Sequence, residues 1–509
     1  MLRLQIKFLS GAAAICIFGQ AAALTPENLK YYGSVYPDGA GETPRGAVSP
    51  ENASYQARAQ VSDQASDQNS SSLANALGPA GYLIAQRSDD AGFAALIRRA
   101  VGRHPAFHSQ AANLGEASAA RRRARSALLP QISGQLRGDY SITRDFGAGT
   151  DNVVESLRPR EQFTAGISAS QLIFDGGATI QRIRSARALS EEYKNALSTR
   201  INDLAINALT AYYDVAAHQA LTALGDAFIG RHEEILNSVK ERERLGAGSK
   251  ADVTRARARL AASRARLSEI EESKRYADIR YEEFFGETPD VLSRPEISAP
   301  VLRSRNEAVV EALDSNPELA AAAARADQRQ ADFKAAKSAR YPEVRLSVDA
   351  VKYDIFDNGD DFDVRAGVNV NYNIFGGGAR AADIAIARSR AKSEAFSESR
   401  IRQEISRDAA MAYERVQSAD ARLDALGEAV IAHDETRDLV LERYKLSRGD
   451  LIDVLQAEND YFEAAVAYLT ALSAQDMAAY ALMEHTGGLL QRFSPQLDYD
   501  AAVAGALNE

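Results

Sequence analysis

Residues 170–181 read SQLIFDGGATIQ: alternating apolar and polar side chains end in Phe174 and two glycines, and a long stretch without proline follows. Residues 371–382 read NYNIFGGGARAA, with Phe375 and three glycines in the same place. Each copy reads as a strand that turns at once into a long helix. Further pairs keep step with them. Phe174 and Phe375, Gly248 and Gly449, and Asp252 and Asp453 are each 201 residues apart, whereas Pro105 and Pro317, and Pro130 and Pro342, are 212 apart. One register that slips by eleven residues between Pro130 and Phe174 describes an internal repeat of about 200 residues with one loop of different length.

Proline marks the borders. None occurs between Pro159 and Pro289, or between Pro342 and Pro495. Because an interior proline costs a helix about 3 kcal/mol, continuous helices belong in those two gaps. The spacing predicts six segments. Residues 1–23 are a secretory signal with Arg3 and Lys7 ahead of a short apolar core, and 24–90 a polar disordered linker. The first repeat spans 91–288 (helix, strand pair, two long helices), a connector 289–303, the second repeat 304–492 and a tail 493–509.

Within each repeat the periodicity changes from two to 3.6. Val364, Ala366, Val368 and Val370 alternate with Arg365, Gly367 and Asn369, and Ile132 and Leu136 oppose Gln131, Ser133, Gln135, Arg137 and Asp139. Strands of about 10 to 14 residues with one apolar and one hydrated face, and with Tyr140, Phe163, Phe362 and Tyr372 near their ends, suit the roughly 9 to 11 tilted residues a bilayer requires. Four strands are too few to close a barrel, and an open edge cannot face lipid. Three chains would pool twelve. From Ala178 to about Leu245 a helical stripe runs through Leu197, Ile201, Leu204 and Val215, with Gly225 and Gly230 as points of loosening. In the closing helix Val454, Tyr461 and Leu472 form one seam and Leu455, Phe462 and Leu469 another, as in a helix packed between two neighbours. The expected fold is mainly α with a small β part.

The pairs HPAF/NPEL, LLP/RYP and QLIFDGG/YNIFGGG, together with ERYKLSRGDLIDVLQAENDYFEAAVAY, give the chain a marked likeness over about residues 91–492. It resembles the TolC-like family of outer-membrane efflux and type I secretion channels. The resemblance implies a homotrimer with a twelve-stranded transmembrane β-barrel in outer-membrane lipid and a periplasmic α-barrel of long helical hairpins. The tip of that barrel would dock a periplasmic adaptor protein and an inner-membrane ABC or proton-driven pump. The polar stretch before residue 91 departs from the family pattern.

The same resemblance assigns site residues. Leu245, Gly246 and Gly248, with Leu446, Ser447 and Gly449, match the turns that contact the adaptor; glycine's freedom at positive φ accounts for several of them equally well. Asp453 matches the first carboxylate of the periplasmic gate, and Gln456 stands where the family has the second, halving the ring's charge. Asp252 and Tyr444 match a closing latch whose companion pair falls on Ala251 and Gly449, beside Arg448. Ser249/Asp252 and Asp450/Asp453 also read as capping boxes at helix starts.

Other patterns point away from chemistry. A formal charge of −10 with both signs mixed argues against a nucleic-acid partner. His104 and His108 flank a proline and lack acidic or cysteine neighbours, so no metal site is expected. No cofactor motif and no nucleophile–base–orienter set is evident, which speaks against an enzyme. RRRAR, residues 121–125, reads as a solvated helix face near lipid headgroups. The competing function is a periplasmic coiled-coil adaptor or scaffold, in which one helical hairpin would interrupt β-rich domains.

Overall fold

The computed structural model describes residues 70–85, 87–143, 161–297, 302–356 and 361–494. The expected signal, the linker up to residue 69 and the tail beyond 494 lie outside them.

Two copies of one unit appear in order. The first comprises α1 (Asp90–Arg103), α2 (Pro105–Ser126), β1 (Gln131–Tyr140), β2 (Glu161–Phe174), α3 (Ala178–Arg244) and α4 (Lys250–Phe285). The second comprises α5 (Arg305–Ser315), α6 (Pro317–Ser338), β3 (Glu343–Lys352), β4 (Phe362–Asn371), α7 (Ala379–Lys445) and α8 (Leu451–His485), and α9 (Gly488–Phe493) is the last described helix. The HPAF and NPEL motifs are helix starts. His104 and Asn316 accept bonds from the first free backbone N–H groups of α2 and α6, and Pro105 and Pro317 occupy the first turn, where no N–H is needed.

The opening motif is likewise built by local chemistry. Asp175 accepts from the N–H of Gly177 and from both the N–H and hydroxyl of Thr179. Gly177 and Gly378 take φ of 85° and 87°, left-handed values that turn a strand into a helix. The glycine at 176 serves packing too, since a Cβ there would lie 2.7 Å from Cβ of Tyr341 at the start of the second strand pair.

Helices α3 and α7 are each 67 residues, roughly 100 Å of continuous helix at about 1.5 Å per residue. Neither Gly225 nor Gly230 breaks α3. A Cβ at Gly225 would fall 2.8 Å from Leu267 Cδ1, so this glycine admits the neighbouring helix instead of loosening its own. Helix α8 packs against both α7 and α3, and both of its seams are buried, from Val454, Tyr461 and Leu472 to Leu455, Phe462 and Leu469.

Two boundaries differ from expectation. The linker predicted through residue 90 is helical over 70–76, and Leu73, Ala76, Leu77, Ala80 and Leu83 are buried in the main core. The Tyr461 hydroxyl donates to the Ala76 carbonyl at 2.6 Å. Polar composition concealed a helical spacing of apolar residues. Phe493, assigned to the tail, is fully buried at the end of α9.

The four strands form one antiparallel sheet in the order β1-β2-β3-β4. The register pairs Leu136 with Ala165, Ile167 with Ala350, and Val348 with Ala366, gathering the apolar positions on one face. The other face carries Arg137–Asp139 and Arg365–Asp363 ion pairs and a 2.8 Å contact between Ser133 and Ser168. Among the described residues nothing covers the apolar face, with Leu136 at 71% and Val368 at 65% exposure. Among the described residues the outer edges of β1 and β4 pair with no strand. No helix among the described residues is long and apolar enough to cross a membrane.

Candidate functional site

The end of the long helices remote from the sheet carries the predicted site residues, in two turns. In the first, Leu245 N–H donates to Glu241, Gly246 N–H to Glu243 and Ala247 N–H to Arg242. In the second, Leu446 donates to Glu442, Ser447 to Tyr444 and Arg448 to Arg443, the same ladder 201 residues on. Both are helix ends closed by one left-handed residue, Gly246 at φ 77° and Ser447 at φ 57°. Leu245 and Leu446 project into solvent. Gly248 and Gly449 lie against the backbone of Glu243 and Tyr444, where a Cβ would sit 3.1 and 3.4 Å away.

Only one of the two expected capping boxes forms. Ser249 Oγ accepts from Asp252 N–H, and Asp252 accepts from Ser249 N–H and hydroxyl, with Arg255 at 3.6 Å. Asp450 makes no cap bond. That leaves the Asp453 side chain free of a capping duty. Asp453 and Gln456 are both exposed on one face of α8, a turn apart, while Val454 and Leu455 bury the opposite face. Gln456 donates to Asp460 at 2.7 Å.

The expected latch pair is not joined: among the described residues no hydrogen bond connects Asp252 with Tyr444 inside the chain. Tyr444 is buried among Ile235, Val239, Leu451 and Val454. Its polar contact from the other hairpin is Arg242, which sequence reading missed. The guanidinium lies 4.5 Å from the Tyr444 ring centroid and donates to the Tyr444 carbonyl at 3.2 Å and to Ser447 Oγ at 2.6 Å. A cation in the last turn of a helix was the available signal, because free carbonyls there attract it.

Farther up, Arg231 reaches from α3 to Glu458 of α8 at 3.3 Å and to Asp438 of α7 at 3.1 Å. Arg437 stacks 4.0 Å over Tyr461. Burial raises the pKa of Glu458, and the two arginines oppose that rise. Arg294, in the connector, forms a bidentate pair with buried Asp476 at 2.7 and 2.8 Å. The Arg231 bridges join α3, α7 and α8 at one level, and the Arg294 pair ties the connector to α8 farther along that helix. His104 is a helix cap, and no cluster of metal-ligating residues occurs among the described residues.

Comparison with known proteins agrees with this geometry. The family described as outer membrane efflux protein matches at residues 96–284 and 308–488, one match per repeat. The outer membrane efflux protein BepC of Brucella suis biovar 1 (strain 1330) is 27% identical over 372 residues, covering 72% of this chain and 78% of its own. The protein CyaE of Bordetella pertussis (strain Tohama I) is 25% identical over 417 residues, 80% and 86% of the two chains. Among solved structures, the outer-membrane channel OprN superposes with a TM-score of 0.70 at 21% identity, over 78% of this chain and 90% of its own. The CmeC outer membrane channel of Campylobacter jejuni gives 0.70 at 15% identity, over 81% and 89%.

Proposed function

The chain belongs to the outer membrane efflux protein family, and from that premise we propose that three copies close one continuous duct from the periplasm to the exterior. It is an outer-membrane channel of the efflux and secretion type, with its sheet in the membrane and its helices in the periplasm. The adaptor reading falls to the family match and to the two equal hairpins around one sheet.

One observation carries the trimer: a four-stranded antiparallel sheet with an uncovered apolar face and two open edges. Strand β4 runs antiparallel to β1, so the edge of one copy can extend the next in the same alternation. Twelve strands then form a barrel with its polar face inward. Helix lengths near 100 Å supply the tunnel beneath. The duct is passive and takes its energy from an inner-membrane pump coupled through an adaptor on the exposed Leu245 and Leu446 turns. Asp453, with Gln456 one turn on, would ring the axis and favour cations over anions at the constriction.

Mass measurement of the purified chain in detergent, with conductance in planar bilayers, tests the assembly. Three chains per particle and a stable open current are expected; a monomer without current overturns it. We further propose that Arg242, braced on Tyr444 and Ser447, holds the two hairpins of one chain closed. Arg242→Ala should raise single-channel conductance in the same assay, and an unchanged conductance sinks this clasp.

A further inference from the structure

We propose that the ends of α2, α3, α6 and α7 nearest the sheet form a cationic collar that binds anionic phospholipid headgroups of the periplasm-facing leaflet. This rests on the placement of the sheet in the outer membrane.

Windows 118–130, 176–190, 333–342 and 376–390 hold thirteen Arg and Lys and a single carboxylate, Asp383, in a chain of formal charge −10. Each window borders a strand end and takes in at most about 13 residues, some 20 Å, of helix. The four helices pack side by side in the order α2, α3, α6, α7, matching the strand order. Arg122, Arg123, Arg182, Lys337, Arg340 and Arg388 are exposed. No ion pair joins these six to a carboxylate among the described residues. Three of the nearby carboxylates are already engaged: Asp175 by the turn at Gly177, Asp332 by Ser185 and Arg329, and Glu343 by Arg345.

Helix electrostatics explains half of this arrangement and leaves the other half unexplained. Cations at the C-terminal ends of α2 and α6 suit the helix dipole. Of those on α3 and α7 only Arg380 lies in a first turn, where the dipole favours anions; the others lie beyond its reach, and neither first turn holds an acidic residue. An external negative surface accounts for both halves. Between the collar and the apolar face of the sheet lie exposed Leu128, Leu129, Phe174, Ile180 and Phe375, side chains suited to the acyl boundary. A cleft of about 410 Å³ between α3 and α6 adds Arg184, Arg187 and Lys334, beside Glu191 and Asp327.

The test is native mass spectrometry of the detergent-purified channel, at low salt, with phosphatidylglycerol or phosphatidylcholine of equal chain length. The wild type should retain phosphatidylglycerol preferentially. Arg122→Gln/Arg123→Gln/Arg125→Gln should cut that preference on the order of tenfold, since each cation near an anionic surface contributes severalfold. Arg257→Gln/Arg259→Gln/Arg275→Gln, an equal loss of charge on exposed positions of α4, should leave it intact. Equal retention of both lipids, an unchanged preference in the first variant, or displacement of the lipid by millimolar inorganic phosphate overturns the collar. If those results come from an intact conducting channel, the collar alone falls; a wild type that neither assembles nor conducts removes the channel reading and the collar with it.

Discussion

Glu484, near the end of α8, has its pKa pushed up to about 7, first by burial and then by the neighbouring carboxylates of Asp203 and Glu318. A carboxyl shifted upward favours the folded state while neutral. That contribution is complete below its ordinary value near 4.5 and is lost as pH rises through about 7. Glu484→Gln should therefore raise the thermal midpoint at pH 8, by up to about 3 kcal/mol of stability, and change it little at pH 4. Equal shifts at both pH values would show that this carboxyl does not titrate in the window. At the same scale, local chemistry was readable in part. The Ser249/Asp252 box was legible because both partners lie within four residues. Asp450/Asp453 has similar spacing yet makes no cap, a difference that residue type and spacing do not encode.

At the scale of elements, the bond between the connector and α8 sets how the two repeats are held. Arg294→Ala leaves Asp476, 2% exposed, as a buried and unpaired charge, which should cost about 3–5 kcal/mol. Arg294→Met/Asp476→Leu removes both charges and should recover most of that loss in a thermal melt; a double variant no more stable than the single one would mean the pair is not energetically isolated. The helices were legible because proline-free gaps and a 3.6-residue stripe require only local regularity. The connector's role was not, because Arg294 and Asp476 are 182 residues apart. The structured segment from residue 70 was missed for another reason: its five buried apolar residues, from Leu73 to Leu83, keep helical spacing, but the surrounding Asn, Ser and Gln outweighed them.

For the whole molecule, the two sheet faces should respond oppositely to charge. Leu136→Arg places a cation on the apolar face in mid-strand, which should cost about 2–4 kcal/mol in a bilayer and abolish the heat-resistant assembly in outer-membrane fractions. Gln135→Arg, one residue away on the polar face, should be tolerated. Loss of assembly in both variants, or in neither, would mean the faces are not divided between lipid and lumen.

The sequence by itself determined the repeat, the strands with their two faces, the long helices and the turn chemistry that joins them, since each follows from interactions within a few residues. Only the tertiary structure decided that β2 pairs with β3, that residues 70–85 belong to the core, and that Arg242 meets the second hairpin. Those contacts join residues that are distant in sequence, and local periodicity carries no record of which surfaces will meet.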